Sequence, residues 1–346
     1  MNSKLGHLRR KMELGYRYIF RIWGAKNQFS LPISVKIKAN LSGYLADQFV
    51  LYNLDKHKKR DYLSEFEWYK SRYINEPFND MFDNKIICNE VLEPNILVPK
   101  LFVIKNQGML VKCSNVDTYE GIIELLHKQK KLFIKPIKAG KGKGVFLLSA
   151  SDGQLYLNED KISADQMIEF LKKDSNWLIS EAMEQVDYLK GLYHKTSNTI
   201  RLITWKSPKT REFEVFFAVQ RIGTKETIPV DNASRGGLIA KVDLATGVLS
   251  EARNLFSLDS WEYHPDSGGQ IKGSQIPDWD EIKAEMLHLA NKFPFMSFVA
   301  WDILITEEGI CIIEANTSSG VNIIQLWGGQ RTGSLGDFYR YHGIIK

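Results

Sequence analysis

Two carboxylates, Asp302 and Glu314, stand in otherwise apolar runs. The first run is Phe298-Val299-Ala300-Trp301-Asp302-Ile303-Leu304-Ile305, and the second is Ile310-Cys311-Ile312-Ile313-Glu314-Ala315-Asn316. Thr306-Glu307-Glu308-Gly309 joins them, and two apolar runs around a short glycine-containing turn make a β-hairpin. If Thr306 and Ile310 close a three-residue loop, Asp302 lies directly opposite Glu314. Cross-strand partners have Cβ atoms about 4.5–5.5 Å apart, so two acids there repel unless something positive sits between them. Asn316 falls on the face of Glu314. Three oxygen side chains on one face suit Mg²⁺, which takes a few carboxylates and completes its shell with water and phosphate oxygens. A loop slip of one residue would break this register, and paired acids can also flank a lysine.

A second pattern is Leu132-Phe133-Ile134-Lys135-Pro136, followed by Ile137-Lys138-Ala139-Gly140-Lys141-Gly142-Lys143-Gly144-Val145. A lysine inside an apolar strand is uncommon without a partner. The loop after it alternates glycine with lysine, so its backbone can approach a polyanion while ammonium groups surround it. Its spacing matches neither the phosphate-loop nor the dinucleotide fingerprint. As a hairpin joining two strands, it reads as a flap over phosphates; taken alone, a mobile surface loop is an equal reading.

The elements that must position these residues are α+β with mostly antiparallel strands. Strands are expected near residues 101–104, 131–137, 145–149, 177–182, 199–205, 212–222, 238–243, 297–305 and 310–315. Helices fit 119–130, 164–173 and 280–292, with Ser163 and Asp278 placed to cap the last two. Residues 40–82 read as helical, with Lys56–Arg60 a solvated turn. The division expected is a basic helical region over 1–80, one α+β unit over 81–185 carrying the flap, and a second over 186–346 carrying the metal site.

Composition excludes several classes. In 346 residues, 44% hydrophobic and 25% charged is ordinary for a soluble globular chain. No apolar run is long enough to span a membrane, and arginines interrupt any leader-like core at the amino end. Three cysteines, Cys88, Cys113 and Cys311, lie far apart, which fits a reducing cytoplasm and no cysteine-built metal site. The charge is uneven. Residues 1–60 carry +10, from thirteen Lys/Arg and three Asp/Glu, so the remainder carries −5 against a total of +5. At 100° per residue, Leu5, Leu8, Met12, Tyr16, Ile19, Phe20 and Trp23 share one helical face, with Arg10, Lys11, Arg17 and Arg21 outside it. Such a helix over residues 4–23 suits an anionic membrane surface or a partner groove; the alternative is that its apolar face packs on the protein's own core. Nucleic acid is a poor fit, since the basic residues sit at one end without a helix-turn-helix or zinc pattern.

Together and in this order, the flap lysines and the Glu-x-Asn hairpin resemble the ATP-grasp superfamily, in the layout of its sugar-transfer associated group, over roughly residues 80–330. The resemblance implies ATP held between two α+β subdomains, with Lys85 and Lys135 on the α- and β-phosphates and Gly140, Lys141, Gly142, Lys143 and Gly144 closing over them. It implies that the backbone beside Glu181 and Ala182 reads adenine, with Glu184 or Asp187 at the ribose. Two Mg²⁺ ions fall to Asp302, Glu314 and Asn316. Arg201 and Arg221 fall to the transferred phosphoryl group, their alternative being a strand-edge ion pair. Asn198, Asn232, Arg235, Gly236, Gly237, Ser318 and Ser319 are implied on the substrate side, or else only shape their loops. The activity implied is carboxylate–amine ligation on small-molecule substrates or a sugar or glycan acceptor, within surface-polysaccharide synthesis. A kinase that stops after phosphoryl transfer and a nucleotide-binding scaffold for a glycosyltransferase are its rivals.

Overall fold

The computed structural model describes residues 4–56, 59–113, 116–137 and 144–346. Helices dominate the amino-terminal part: α1 (Lys4–Arg17), running on into a wide turn of helix over Tyr18–Trp23, then α2 (Ile33–Leu41), α3 (Ala46–Leu51), α4 (Glu65–Ser71), α5 (Asp80–Asp83) and α6 (Lys85–Leu92). Side chains start two of them: Ser64 accepts from Glu67 N–H ahead of α4, and Asn84 from Ile86 and Ile87 N–H ahead of α6.

Two antiparallel seven-stranded sheets follow. The first contains β1 (Leu101–Asn106), β2 (Met109–Lys112), β3 (Lys131–Pro136), β4 (Phe146–Ser151), β5 (Gln154–Leu157), β6 (Asp160–Ile162) and β7 (Trp177–Glu181), in the order β2-β1-β7-β3-β4-β5-β6. One of its faces, through Leu132, Ile134, Leu148 and Ile179, packs with α7 (Tyr119–Gln129) and α8 (Ala164–Lys173). Because side chains alternate along a strand, Phe133 and Lys135 of β3 point to the other face, opposite Ser180 and Leu178 of β7.

After the short α9 (Asp187–Leu192), the second sheet contains β8 (Ile200–Lys206), β9 (Phe213–Ile222), β10 (Leu238–Val242), β11 (Leu249–Arg253), β12 (Ser260–Trp261), β13 (Phe298–Thr306) and β14 (Gly309–Asn316). Its order is β12-β11-β10-β9-β8-β13-β14. The long helix α10 (Trp279–Lys292) covers one face together with Phe82, Cys88 and Leu92 of α5 and α6. The other face is covered by Leu63 and by α11 (Val321–Ile324) and α12 (Ser334–Tyr341). Covered on both sides, β13 is buried at all nine positions, which is why its sequence is apolar but for Asp302 and Thr306 rather than alternating.

Three expectations need correction. The helices of 81–98, assigned by sequence to the first sheet's unit, pack instead on the second sheet. Ser163 does cap α8, accepting from Gln166 N–H, but Asp278 adopts a left-handed backbone (φ 51°) and makes no side-chain cap. The hairpin β13/β14 closes on a two-residue turn, Thr306 facing Gly309, rather than a three-residue loop. A bulge between the Ile303–Ile312 and Asp302–Glu314 pairs then absorbs one residue, and Asp302 faces Glu314 after all.

Candidate active site

The charged residues converge because of strand order. On one face of the second sheet, Ile203, Trp205, Phe217, Val219 and Ala300 form core toward one end. The same face toward the other end carries Arg221 (β9), Arg201 (β8), Asp302 (β13) and Glu314 (β14), on four adjacent strands. Arg201 grips Asp302 with both arms, Nε to Oδ1 at 2.8 Å and Nη2 to Oδ2 at 2.7 Å. Arg221 donates to Asp302 Oδ2 and to Asp231 Oδ1, each at 2.7 Å. The second oxygen of Asp231 accepts from Thr199 N–H and Oγ1–H, both at 2.6 Å. Lys85, at the start of α6, reaches Glu314 Oε1 at 3.0 Å.

Burial sets the electrostatics. Asp302 is almost wholly buried, which by itself would raise its carboxyl, yet Arg201 and then Arg221 outweigh that and hold it below the usual carboxylate range. Asp231 goes the other way: burial pushes its carboxyl up, and Arg221 only partly offsets this. Lys135, from the facing sheet, stands 5.5 Å from the Phe133 ring centre, and desolvation together with the nearby Lys85 lowers its ammonium to about 8.

All of these groups except Arg201 line two adjoining pockets between the sheets. Lys85, Pro99, Lys135, Ile313 and Glu314 belong to both. The larger adds Glu181, Met183, Arg221, Asp231, Asn232 and Asp302. A third pocket brings Gly144 and Val145 beside Ser234 and Arg235. A cleft with cations from both walls and acids on its floor suits a polyphosphate.

The other sequence-derived residues fall unevenly. Glu181 reaches the cleft, but its N–H donates to Lys100 O at 2.9 Å, so that group is already used. Ala182 follows it just beyond the end of β7. Glu184 pairs with Lys131 at 2.8 Å on the surface, and Asp187 with Lys190 at 3.4 Å; neither lines the cleft. Asn198 is buried and committed to structure: its amide bonds Leu189 O, Tyr193 O, Thr196 Oγ1 and Gly223 N. Asn232 lines the larger pocket while its Oδ1 accepts from Ser234 N and Oγ at 2.8 Å. Gly236 closes that turn with φ 108°, and a side chain on Gly237 would strike Asp231 O and Asn232 O. Ser319 is buried with an unpartnered Oγ, beside Thr317, which bonds Asp83; Ser318, between them, is half-buried. Gly140, Lys141, Gly142 and Lys143 lie outside the described residues.

Asp231 and Thr199 were missed as site residues. Their signal was present, since Asp231 precedes the Asn232…Gly237 segment, but its pairing with Arg221 needs the folded chain. Among the described residues no three or more His, Cys, Asp or Glu gather as a metal cluster. The donor set of two carboxylates and an amide oxygen still fits Mg²⁺, with Glu314 and Asn316 on one strand two residues apart. Asp302 is the weaker donor here, because guanidinium groups occupy both of its oxygens.

A family model described as sugar-transfer associated ATP-grasp matches residues 66–334. No curated protein matches the chain. Among solved structures, an ADP complex of N5-carboxyaminoimidazole ribonucleotide synthetase is 14% identical, with a TM-score of 0.40, covering 69% of this chain and 46% of that one. D-alanyl-alanine synthetase A from Vibrio cholerae is 10% identical (TM-score 0.42, 71% and 58% covered), and the D-cycloserine synthetase DcsG is 10% identical (TM-score 0.44, 79% and 74% covered). The chain thus spans about half the length of the first of these.

Proposed function

The chain belongs to the sugar-transfer associated ATP-grasp family, and from that premise we propose that it is an ATP-dependent carboxylate–amine ligase working through an acyl phosphate. The observation that carries this is the convergence, in one cleft, of Lys85, Lys135, Arg221, Asp302 and Glu314, with Arg201 gripping Asp302 beside them.

A carboxylate at neutral pH does not accept an amine, because oxide would have to leave. Transfer of the γ-phosphoryl group from ATP turns that oxygen into part of a good leaving group. In this scheme Lys85 and Lys135 neutralise the α- and β-phosphates, and the segment 140–144 closes over them to exclude water. Adenine lies at the end of β7 by Glu181, Ala182 and Met183. Arg201 and Arg221 hold the transferred phosphoryl group, exchanging part of their grip on Asp302 for its oxygens. Glu314 and Asn316, with Asp302 once phosphate oxygens compete for its arginines, would hold one or two Mg²⁺. When bound, Mg²⁺ offsets charge on the β- and γ-phosphate oxygens. The acceptor enters by Asn232 in the larger pocket and Arg235 in the third.

The family description supports a finer setting in which the ligase joins an amino acid or amine to a sugar acid during surface-polysaccharide synthesis, in the cytoplasm where ATP is supplied. Screening ADP release against amino acids and uronic acids, with and without Mg²⁺, tests the reading. ADP release that requires both a carboxylate and an amine supports it. A stable phosphorylated product without amine points to a kinase, and no turnover with any pair to a scaffold.

A further inference from the structure

Helix α1 sits on the body in an unusual orientation. Apolar faces of helices ordinarily turn inward. Here Leu8, Met12, Tyr16, Ile19 and Phe20 are between 53% and 68% exposed, and Trp23 continues the stripe into solvent. The opposite side is the one fastened down. Arg10 pairs with Glu76, and Arg17 with Glu13, its guanidinium lying 5.4 Å from the Tyr69 ring centre. Tyr18 donates to Asn40 O at 3.0 Å and meets the Phe66 ring edge-on, while Ile22 is buried. The apolar stripe is therefore held outward by specific contacts. Through Tyr18 it adjoins α2, whose Ile33, Ile37 and Leu41, spaced four residues apart, are exposed as well.

A contiguous exposed apolar surface marks a contact site, and charge decides what it contacts. Residues 1–46 contain nine Lys/Arg and a single acid, Glu13, which Arg17 already engages. Arg9, Lys11, Arg21, Lys26 and Lys38 are exposed around the stripe. A second copy of the chain would set this excess against its own like, which is repulsive. A nucleic acid would leave the apolar crest without a partner. An anionic bilayer satisfies both features, with aromatic and aliphatic side chains at the acyl boundary and cations among the headgroups. No helix among the described residues is long and apolar enough to cross a membrane, so the contact is peripheral.

We propose that the outer face of residues 8–23, together with α2, docks the protein on an anionic membrane surface. The inference is independent of the reaction assigned above. The test is flotation of the full chain with vesicles of phosphatidylcholine alone or mixed with phosphatidylglycerol. Binding is expected to the mixed vesicles, weakening with salt. Met12→Ala with Phe20→Ala should lower partitioning about tenfold or more, and Lys11→Ala or Arg21→Ala about fivefold each. Unfolding temperature and ATP binding should not change, because these side chains are exposed. Equal binding to neutral vesicles, no binding to mixed ones, or undiminished binding by the variants would overturn the proposal. So would a dimer, seen by light scattering, that dissociates in the Met12/Phe20 variant, since the face would then belong to a second copy.

Discussion

Replacing Arg221 by methionine tests the charged row more sharply than any other change, because the residue is buried between two buried acids. Methionine keeps much of the volume and removes the charge, leaving Asp231 and Asp302 to share what remains. Breaking a buried ion pair from one side costs about 3–5 kcal/mol. At roughly 2 °C per kcal/mol for a chain of this size, the unfolding temperature should fall by about 6–10 °C. The loss should also depend on pH. Asp302 keeps Arg201, but Asp231, whose carboxyl is already raised by burial, loses the cation that opposes the rise. A buried acid with a raised folded pKa binds a proton more readily folded than unfolded, so the folded state gains as pH falls toward the ordinary carboxylate value. The difference between Arg221→Met and the parent should therefore be larger at pH 8 than at pH 5. Adding Asp231→Asn should recover part of it, since the amide oxygen can still accept from Thr199. Thermal unfolding at the two pH values, monitored by circular dichroism, is the assay. A fall of under about 2 °C, or equal losses at both pH values, would refute the reasoning.

Glu314→Gln removes the carboxylate proposed to hold metal and the partner of Lys85; ADP formation should drop about a hundredfold, the equivalent of about 2.7 kcal/mol, with the circular dichroism spectrum unchanged. Lys135 loses its proton near pH 8, and bound polyphosphate favours the charged form. ATP affinity should thus weaken about tenfold between pH 7 and 9, a dependence that calorimetry should find absent in Lys135→Met. Phe82, buried against Trp301 and Phe293, ties the helix bearing Lys85 to the second sheet. Phe82→Ala should destabilise by about 3–5 kcal/mol in denaturant titration.

Much of this architecture can be read from residue order. The apolar runs of β13 and β14 around a glycine turn declare their hairpin, and Ser163 with Gln166 declares the start of α8. The correct facing of Asp302 and Glu314 came from two compensating departures, a shorter turn and a bulge. No propensity marks a bulge between residues as alike as Ile312 and Ile313. Strands β2 and β5 were overlooked although Gln107-Gly108 and Asp152-Gly153 turn into them with positive φ. Asp-Gly is a legible hairpin signal, whereas Gln107 is not, since a glutamine seldom takes that conformation. The arginine–carboxylate row was beyond reach, because it depends on β8 lying beside β13 about a hundred residues away in sequence. Periodicity likewise shows that α1 has an apolar face but not which way it points. Glu76, Tyr69 and Tyr73, far along the chain, decide that.

The central claim is that a carboxylate is activated by the γ-phosphoryl group of ATP in this cleft. The most direct test incubates the protein with MgATP, an amine and a carboxylate carrying ¹⁸O, chosen from the pairs that consume ATP, and reads the phosphorus spectrum. The account predicts ADP and inorganic phosphate containing one ¹⁸O derived from the carboxylate, with Arg201→Ala losing turnover far more than ATP binding. AMP and pyrophosphate, or phosphate without the label, would contradict it.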